Sequence, residues 1–189
     1  VSDPTALSNG MKSGEINFSN EVPPKDWEAI VSKDGMVNAA LEGSRYYWLI
    51  PNWETPPFDN VKVRQAIGIA LNRAAIVKGA FYGQATPLLG GVIPQWNWGY
   101  ADIEFFKPQG DIEAAKKLLA EAGIEPGIEI TLNMVSSWPP MMSMAPIIQA
   151  NLSQIGFKAT IETMEVPRYW DEIWGPSNFD ITVMYWLSP

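Results

Sequence analysis

Residues 52–67 read Asn52-Trp-Glu-Thr-Pro-Pro-Phe-Asp-Asn-Val-Lys-Val-Arg-Gln-Ala-Ile67 and continue as Gly68-Ile-Ala-Leu-Asn-Arg-Ala-Ala-Ile-Val77. An aromatic strand end runs into a Pro-Pro turn, and Asp59 and Asn60 stand where a helix cap belongs. Behind them Val61, Val63, Ala66, Ile67, Ala70 and Leu71 recur at helical spacing. Asn72 caps a second helix whose apolar positions are Ile76, Val77, Ala80 and Phe81, with Gly83 as its end.

Towards the N-terminus, Arg45-Tyr-Tyr-Trp-Leu-Ile50 has strand composition, and residues 26–33 form a short helix behind the cap candidate Lys25-Asp26. Residues 1–24 are polar and broken by Gly10, Gly14, Pro23 and Pro24, which predicts a short helix and a turn. Towards the C-terminus, residues 84–110 form a loop interrupted by Pro87, Gly90, Gly91 and Pro94 and rich in aromatics, Trp96, Trp98 and Tyr100 among them. A loop of that length in a compact domain is functional or packed on itself. Asp111 then caps a helix over Ile112, Ala115, Leu118, Leu119 and Ala122, closed by Gly123. Ile128, Ile130, Leu132 and Met134 alternate as a strand, a helix spans 141–155 up to Gly156, and residues 157–164 form the next strand. A short helix over 167–174 and a last strand over 179–186 complete the order. Strands alternating with helices predict an α/β fold with a mixed, mainly parallel sheet flanked by helices.

Composition narrows the chemistry. The 189 residues hold 13 Lys and Arg against 21 Asp and Glu, a net charge of −8 with no basic cluster, which excludes nucleic acid as a partner. Cysteine and histidine are both absent, so there is no thiolate, no histidine base and no histidine zinc ligand. Neither a Gly-x-Ser-x-Gly elbow nor a phosphate-binding glycine loop occurs, and no cofactor or metal is demanded. Met141-Met-Ser-Met144 has thioethers for a soft metal, although methionine at a helix opening is ordinarily core. No apolar run approaches the roughly 20 residues of a membrane span.

Nine tryptophans divide by context. Trp27, Trp48 and Trp174 sit inside helix or strand patterns and are expected in the core. Trp53, Trp96, Trp98, Trp138, Trp170 and Trp186 sit in loops, element ends or a short helix, where a flat and half-apolar side chain suits ligand stacking. Ligands on open α/β sheets bind at the carboxyl ends of strands, and two such ends are rich in candidates: Val135-Ser-Ser-Trp138 and Tyr185-Trp-Leu-Ser188.

The Pro-Pro-Phe-Asp run resembles the extracellular solute-binding proteins of family 5, the oligopeptide-, dipeptide- and nickel-binding components of ABC importers. Further support comes from Met11-Lys-Ser-Gly-Glu-Ile-Asn17, Tyr82-Gly-Gln-Ala-Thr-Pro87, the helix Asp111 to Gly123, Ile148-Gln-Ala-Asn-Leu-Ser-Gln-Ile-Gly156 and Phe179-Asp-Ile-Thr-Val-Met-Tyr-Trp186. The resemblance implies a periplasmic binding protein-like lobe and no enzyme. Family members are longer and two-lobed, so residues 1–189 are expected to be a single lobe, the C-terminal-side one, with residues 1–24 leading in near the hinge. It further implies a monomer in a periplasmic or extracytoplasmic location, free or lipid-anchored, that captures oligopeptide or a similar solute and delivers it to an ABC permease in the membrane. The implied lining is Trp186, Leu187, Trp138, Ser136, Tyr169 and Val166. In peptide binders a Trp-x-x-Asp pattern receives the peptide amine. Here Trp186-Leu-Ser-Pro189 puts proline at the acidic position, and Val166 stands where peptide binders resemble a tryptophan site. Three alternatives remain: an oligosaccharide binder of the same family, a receptor-linked solute sensor, and a small glycosidase using a carboxylate pair such as Asp102 with Glu104 or Glu162 with Glu165.

Overall fold

The computed structural model describes residues 3–20, 22–37, 45–91, 93, 95 and 97–187. Four strands, β1 (Arg45–Pro51), β2 (Glu129–Val135), β3 (Lys158–Met164) and β4 (Ile181–Leu187), form one sheet in the order β1-β4-β2-β3. β2 runs parallel to both β3 and β4, while β1 runs antiparallel to β4, with Tyr46 opposite Trp186 and Ile50 opposite Thr182. The sheet is therefore mixed and mainly parallel, as expected.

Side-chain caps start the helices where the sequence placed them. The Asn60 side chain accepts from the Lys62 N–H at the head of α3 (Val61–Ala70), and Asn72 accepts from Ala75 at the head of α4 (Arg73–Phe81). α3 buries Val63, Ala66, Ile67 and Ala70, but Val61, expected on that face, is exposed in the first turn. The backbone N–H of Asn72 also donates to the Asn151 side chain at 2.9 Å, which ties α4 to the long helix described next.

β2 does not alternate as expected: Leu132, Asn133, Met134 and Val135 are all buried. It is an interior strand covered on both faces, so its alternate residues all lose contact with water. One face is covered by α6 (Pro139–Gln154), which starts two residues before the expected 141 because two prolines with no N–H to satisfy open its first turn. Met141, Met144, Ala145, Ile148 and Leu152 form its inward stripe, so the Met141 to Met144 cluster is core. On the other face, a short helix α7 (Val166–Arg168) runs on into a π-helical turn, Tyr169–Trp174, that buries Tyr169 and Ile173.

The opening stretch serves as a stitch. Asn52 is buried where β1 ends, and its side-chain N–H group donates to the carbonyls of Ser177 (2.9 Å) and Phe179 (3.0 Å) just before β4. Phe58 of the Pro-Pro-Phe-Asp run is fully buried, stacked on Phe157 at 6.4 Å between centroids. Across the molecule α5 (Ile112–Glu121), capped by Asp111, buries Ala115 and Leu119 into the same core. Gly110 just before it has φ 74 and lies against the Ala70 backbone, a position that favours glycine.

At the N-terminal side, α1 (Pro4–Ser13) is capped by Asp3 and packs on α2 (Trp27–Val31), and Met11 and Ile30 are buried there. Asp26 does not cap α2 as expected. Its carboxylate instead accepts from the Ser8 hydroxyl at 2.8 Å and the Lys12 ammonium at 2.5 Å, which draws it away from the backbone and holds the two helices together. Those bonds, the Lys12 contact first, lower the Asp26 carboxyl to about 2.

Candidate functional site

β2 and β3 end level with each other, at Val135 and Met164, while parallel β4, level with them at Met184, runs three residues further to Leu187, beside Arg45 where antiparallel β1 begins. Loops leaving these ends meet at one rim of the sheet. Ser136, just after β2, donates its backbone N–H to the Met164 carbonyl at 2.9 Å. Its hydroxyl lies 2.8 Å from Glu165 Oε1 and 3.1 Å from the same carbonyl. The single hydroxyl proton is drawn to the closer, charged acceptor, so the loops after β2 and β3 are tied by a charge-assisted bond.

Strand parity then divides the aromatic candidates. Trp186 is 57% exposed and shares a sheet face with Tyr46, its ladder partner, and with Trp48, whose ring centroid lies 5.1 Å from that of Tyr46. Tyr185 points to the opposite face, where its ring meets Trp138 edge-on at 4.8 Å and carries the Arg45 guanidinium at 4.5 Å. Trp138 and Trp186 thus lie on opposite faces and are not in one cluster. Leu187, 58% exposed, extends the rim opposite Arg45, and Val166 is half-buried at the start of α7.

Tyr169 lies in the core. It is 0% exposed and its hydroxyl is 2.8 Å from Thr182 Oγ1, whose own proton goes to the Asn133 carbonyl at 3.0 Å. Burial raises the Tyr169 phenol above its ordinary value, with the Thr182 contact partly opposing the rise. Among the described residues no tryptophan is fully buried; Trp27, Trp48 and Trp174, expected in the core, are half-buried, and Trp96 and Pro189 lie outside the described residues. Sequence reasoning passed over Arg45 and Tyr46, named Tyr185 only within a candidate strand end, and weighed Glu165 only as half of a carboxylate pair. The signal for Tyr46 and Arg45 was the pairing of β1 with β4, which no local pattern encodes.

The carboxylates weighed as catalytic pairs are all exposed: Asp102 and Glu104 sit on the loop before α5, and Glu165 is engaged by Ser136. Arg168 donates to Glu172 at 2.7 Å, a contact that raises its pKa further. Among the described residues no group of three or more acidic side chains could hold a metal ion, and no helix is long and apolar enough to cross a membrane.

A mixed sheet with its loops gathered at the carboxyl rim is the architecture of periplasmic binding proteins, and solved structures of that class superimpose on it. The binding protein AgaA of A. tumefaciens R10, solved with agropinic acid, matches with a TM-score of 0.85 at 30% identity, over 99% of this chain and 38% of that one. DppA of Helicobacter pylori, solved with the peptide STSA, matches with a TM-score of 0.85 at 26% identity, over 100% and 36%. The glutathione-binding protein GsiB of Shigella flexneri serotype 5b (strain 8401) is 31% identical over 176 residues, 93% of this chain and 34% of that protein. The family model for bacterial extracellular solute-binding proteins, family 5 Middle, matches residues 1–189. The chain belongs to this family, whose matched members are binding proteins and not enzymes. It spans about a third of the length of the curated relatives it matches.

Proposed function

We propose that this chain is the C-terminal-side lobe of a two-lobed, extracytoplasmic solute-binding protein that captures a small peptide or peptide-like solute and presents it to an ABC permease. The observation that carries the reading is the exposed pair Trp186 and Leu187 at the carboxyl rim of the parallel strands, where open α/β sheets hold ligands. The relatives named for glutathione and solved with the peptide STSA support a peptide-like solute. Trp186 with Tyr46 offers one stacking surface and Trp138 with Tyr185 another, while Ser136 and Val166 shape the loops between them. Tyr169 supports the rim from behind through Thr182.

The test uses the full-length parent with the tetrapeptide Ser-Thr-Ser-Ala and glutathione as probes, preceded by native mass spectrometry for any co-purified solute. At least one probe, or a co-purified peptide, binds, and Trp186→Ala weakens that binding about tenfold, roughly 1.4 kcal/mol, without moving Tm. Failure of both probes and of any native solute, or an unchanged affinity in Trp186→Ala, overturns the reading.

A further inference from the structure

Arg45 opens β1 at the carboxyl rim, with the exposed Leu187 as its ladder partner. Its guanidinium carbon lies 4.5 Å from the centre of the Tyr185 ring. That ring is in turn boxed by Tyr47, its own ladder partner, at 6.0 Å between centroids, and by Trp138 edge-on at 4.8 Å. Tyr47, Tyr185 and Trp138 all pack against the core, so the seat under the guanidinium is fixed while Arg45 itself is exposed.

A guanidinium held over a ring face keeps its N–H donors, and their planar fork matches a carboxylate through two parallel hydrogen bonds. Holding it there beforehand reduces the side-chain freedom lost on binding. The rim segments 135–138, 164–167 and 185–188 contain no Lys or Arg, and Arg168 just beyond them donates to Glu172 at 2.7 Å. Glu165 is the acid of the rim, and it accepts from the Ser136 hydroxyl at 2.8 Å. It follows β3, which lies three strands from β1 in the sheet order, about 14 Å at roughly 4.8 Å per strand. Among the described residues the rim is therefore positive at its β1 end and negative at its β3 end.

We propose that Arg45 sets the specificity of the rim by receiving a carboxylate of the solute, which makes the solute a carboxylate-bearing, peptide-like molecule with its negative end at β1. The carboxylate pairs with the guanidinium above Tyr185, and the body of the solute passes Leu187 to reach Trp186 on the other face of β4. The proposal deepens the solute reading and rests on it. It adds a charge requirement that aromatic stacking alone does not impose.

The experiment is isothermal titration calorimetry of the full-length parent with Ser-Thr-Ser-Ala, glutathione and any co-purified acid. Each is titrated as the free acid and with its carboxylates blocked, the tetrapeptide as its C-terminal amide and glutathione as its diethyl ester. At least one free acid binds about tenfold or more tighter than its blocked form. Arg45→Gln removes that preference, weakening the acid about tenfold and leaving the blocked form within about twofold, and Arg45→Lys, which keeps the charge without the fork, retains part of it. Trp186→Ala weakens acid and blocked forms by the same factor, because stacking is indifferent to the carboxylate. The proposal alone is overturned if the parent binds acid and blocked forms equally, or if Arg45→Gln weakens both alike, as a mere structural support of Tyr185 would. A co-purified solute that has no carboxylate does the same. Absence of binding by every form, with no co-purified solute, overturns the solute reading and the proposal with it.

Discussion

Tyr169→Phe separates a core residue from a cleft residue by one oxygen atom. Thr182 Oγ1 gives its proton to the Asn133 carbonyl at 3.0 Å, so the 2.8 Å contact with Tyr169 has the phenol as donor. Removing that donor keeps the ring packing and takes away one buried hydrogen bond, a loss of about 1 kcal/mol within the usual range of 0.5–1.5. For a domain of this size that is a drop of about 2–4 °C in Tm. Tyr169→Ala removes the whole fully buried ring and is expected to cost about 3–5 kcal/mol. Because Tyr169 is 0% exposed, solute affinity in the Phe variant stays within about twofold of the parent. A second readout follows from the raised phenol pKa: the unfolded chain ionises near pH 10 while the folded one holds its proton. The stability this represents is fully present below pH 10 and lost as pH rises through the raised folded value, and Tyr169→Phe removes that alkaline loss. Thermal unfolding by circular dichroism across pH, with a parallel solute titration, checks both. An unchanged Tm with affinity down tenfold would refute the argument and return Tyr169 to the cleft.

Gly110→Ala is destabilising by at least about 1–2 kcal/mol, because the backbone sits at φ 74 and the new Cβ would lie 2.7 Å from the Ala70 carbonyl oxygen; urea denaturation with an unchanged midpoint would contradict it. Asp26, held at about 2 by Lys12 and Ser8 against an ordinary 3.8, stabilises the α1–α2 pairing fully above pH 3.8 and loses that contribution as pH falls through about 2. Asp26→Asn therefore speeds hydrogen exchange in α1 at pH 6 and makes it less sensitive to acid, and an α1 that exchanges as the parent does at both pH values would show the pairing to be idle.

Local chemistry made much of the fold legible. A helix cap is a contact between residues two or three apart, so Asn60, Asn72 and Asp111 announce α3, α4 and α5 without knowledge of anything distant. The ends were as plain where Gly123 and Gly156 adopt positive φ. Asp26 misled because its partners, Ser8 and Lys12, come from another helix and outcompete the cap. Likewise the continuous burial of β2 depends on its interior place in the sheet, which is decided by β4 entering between β1 and β2. That insertion pairs residue 45 with residue 187, a contact no window of neighbouring residues contains.

The rim shows the same division more sharply. Exposure at strand ends was readable, and Trp186 and Leu187 stand there in the open. What each side chain faces was not, because it follows from register. Trp186 and Tyr185 are adjacent in sequence, yet parity sends one towards Tyr46 and Trp48 and the other towards Trp138. The register that pairs Thr182 with Asn133 also brings the Tyr169 hydroxyl to Thr182, which places that aromatic in the core. A solute resting on both Trp138 and Trp186 must therefore bridge the edge of the sheet, whereas one confined to a single face meets one aromatic group and not the other. Alanine substitutions at the two tryptophans should accordingly be additive for a bridging solute, and for a solute held on the Trp186 face alone Trp138→Ala should leave binding unchanged.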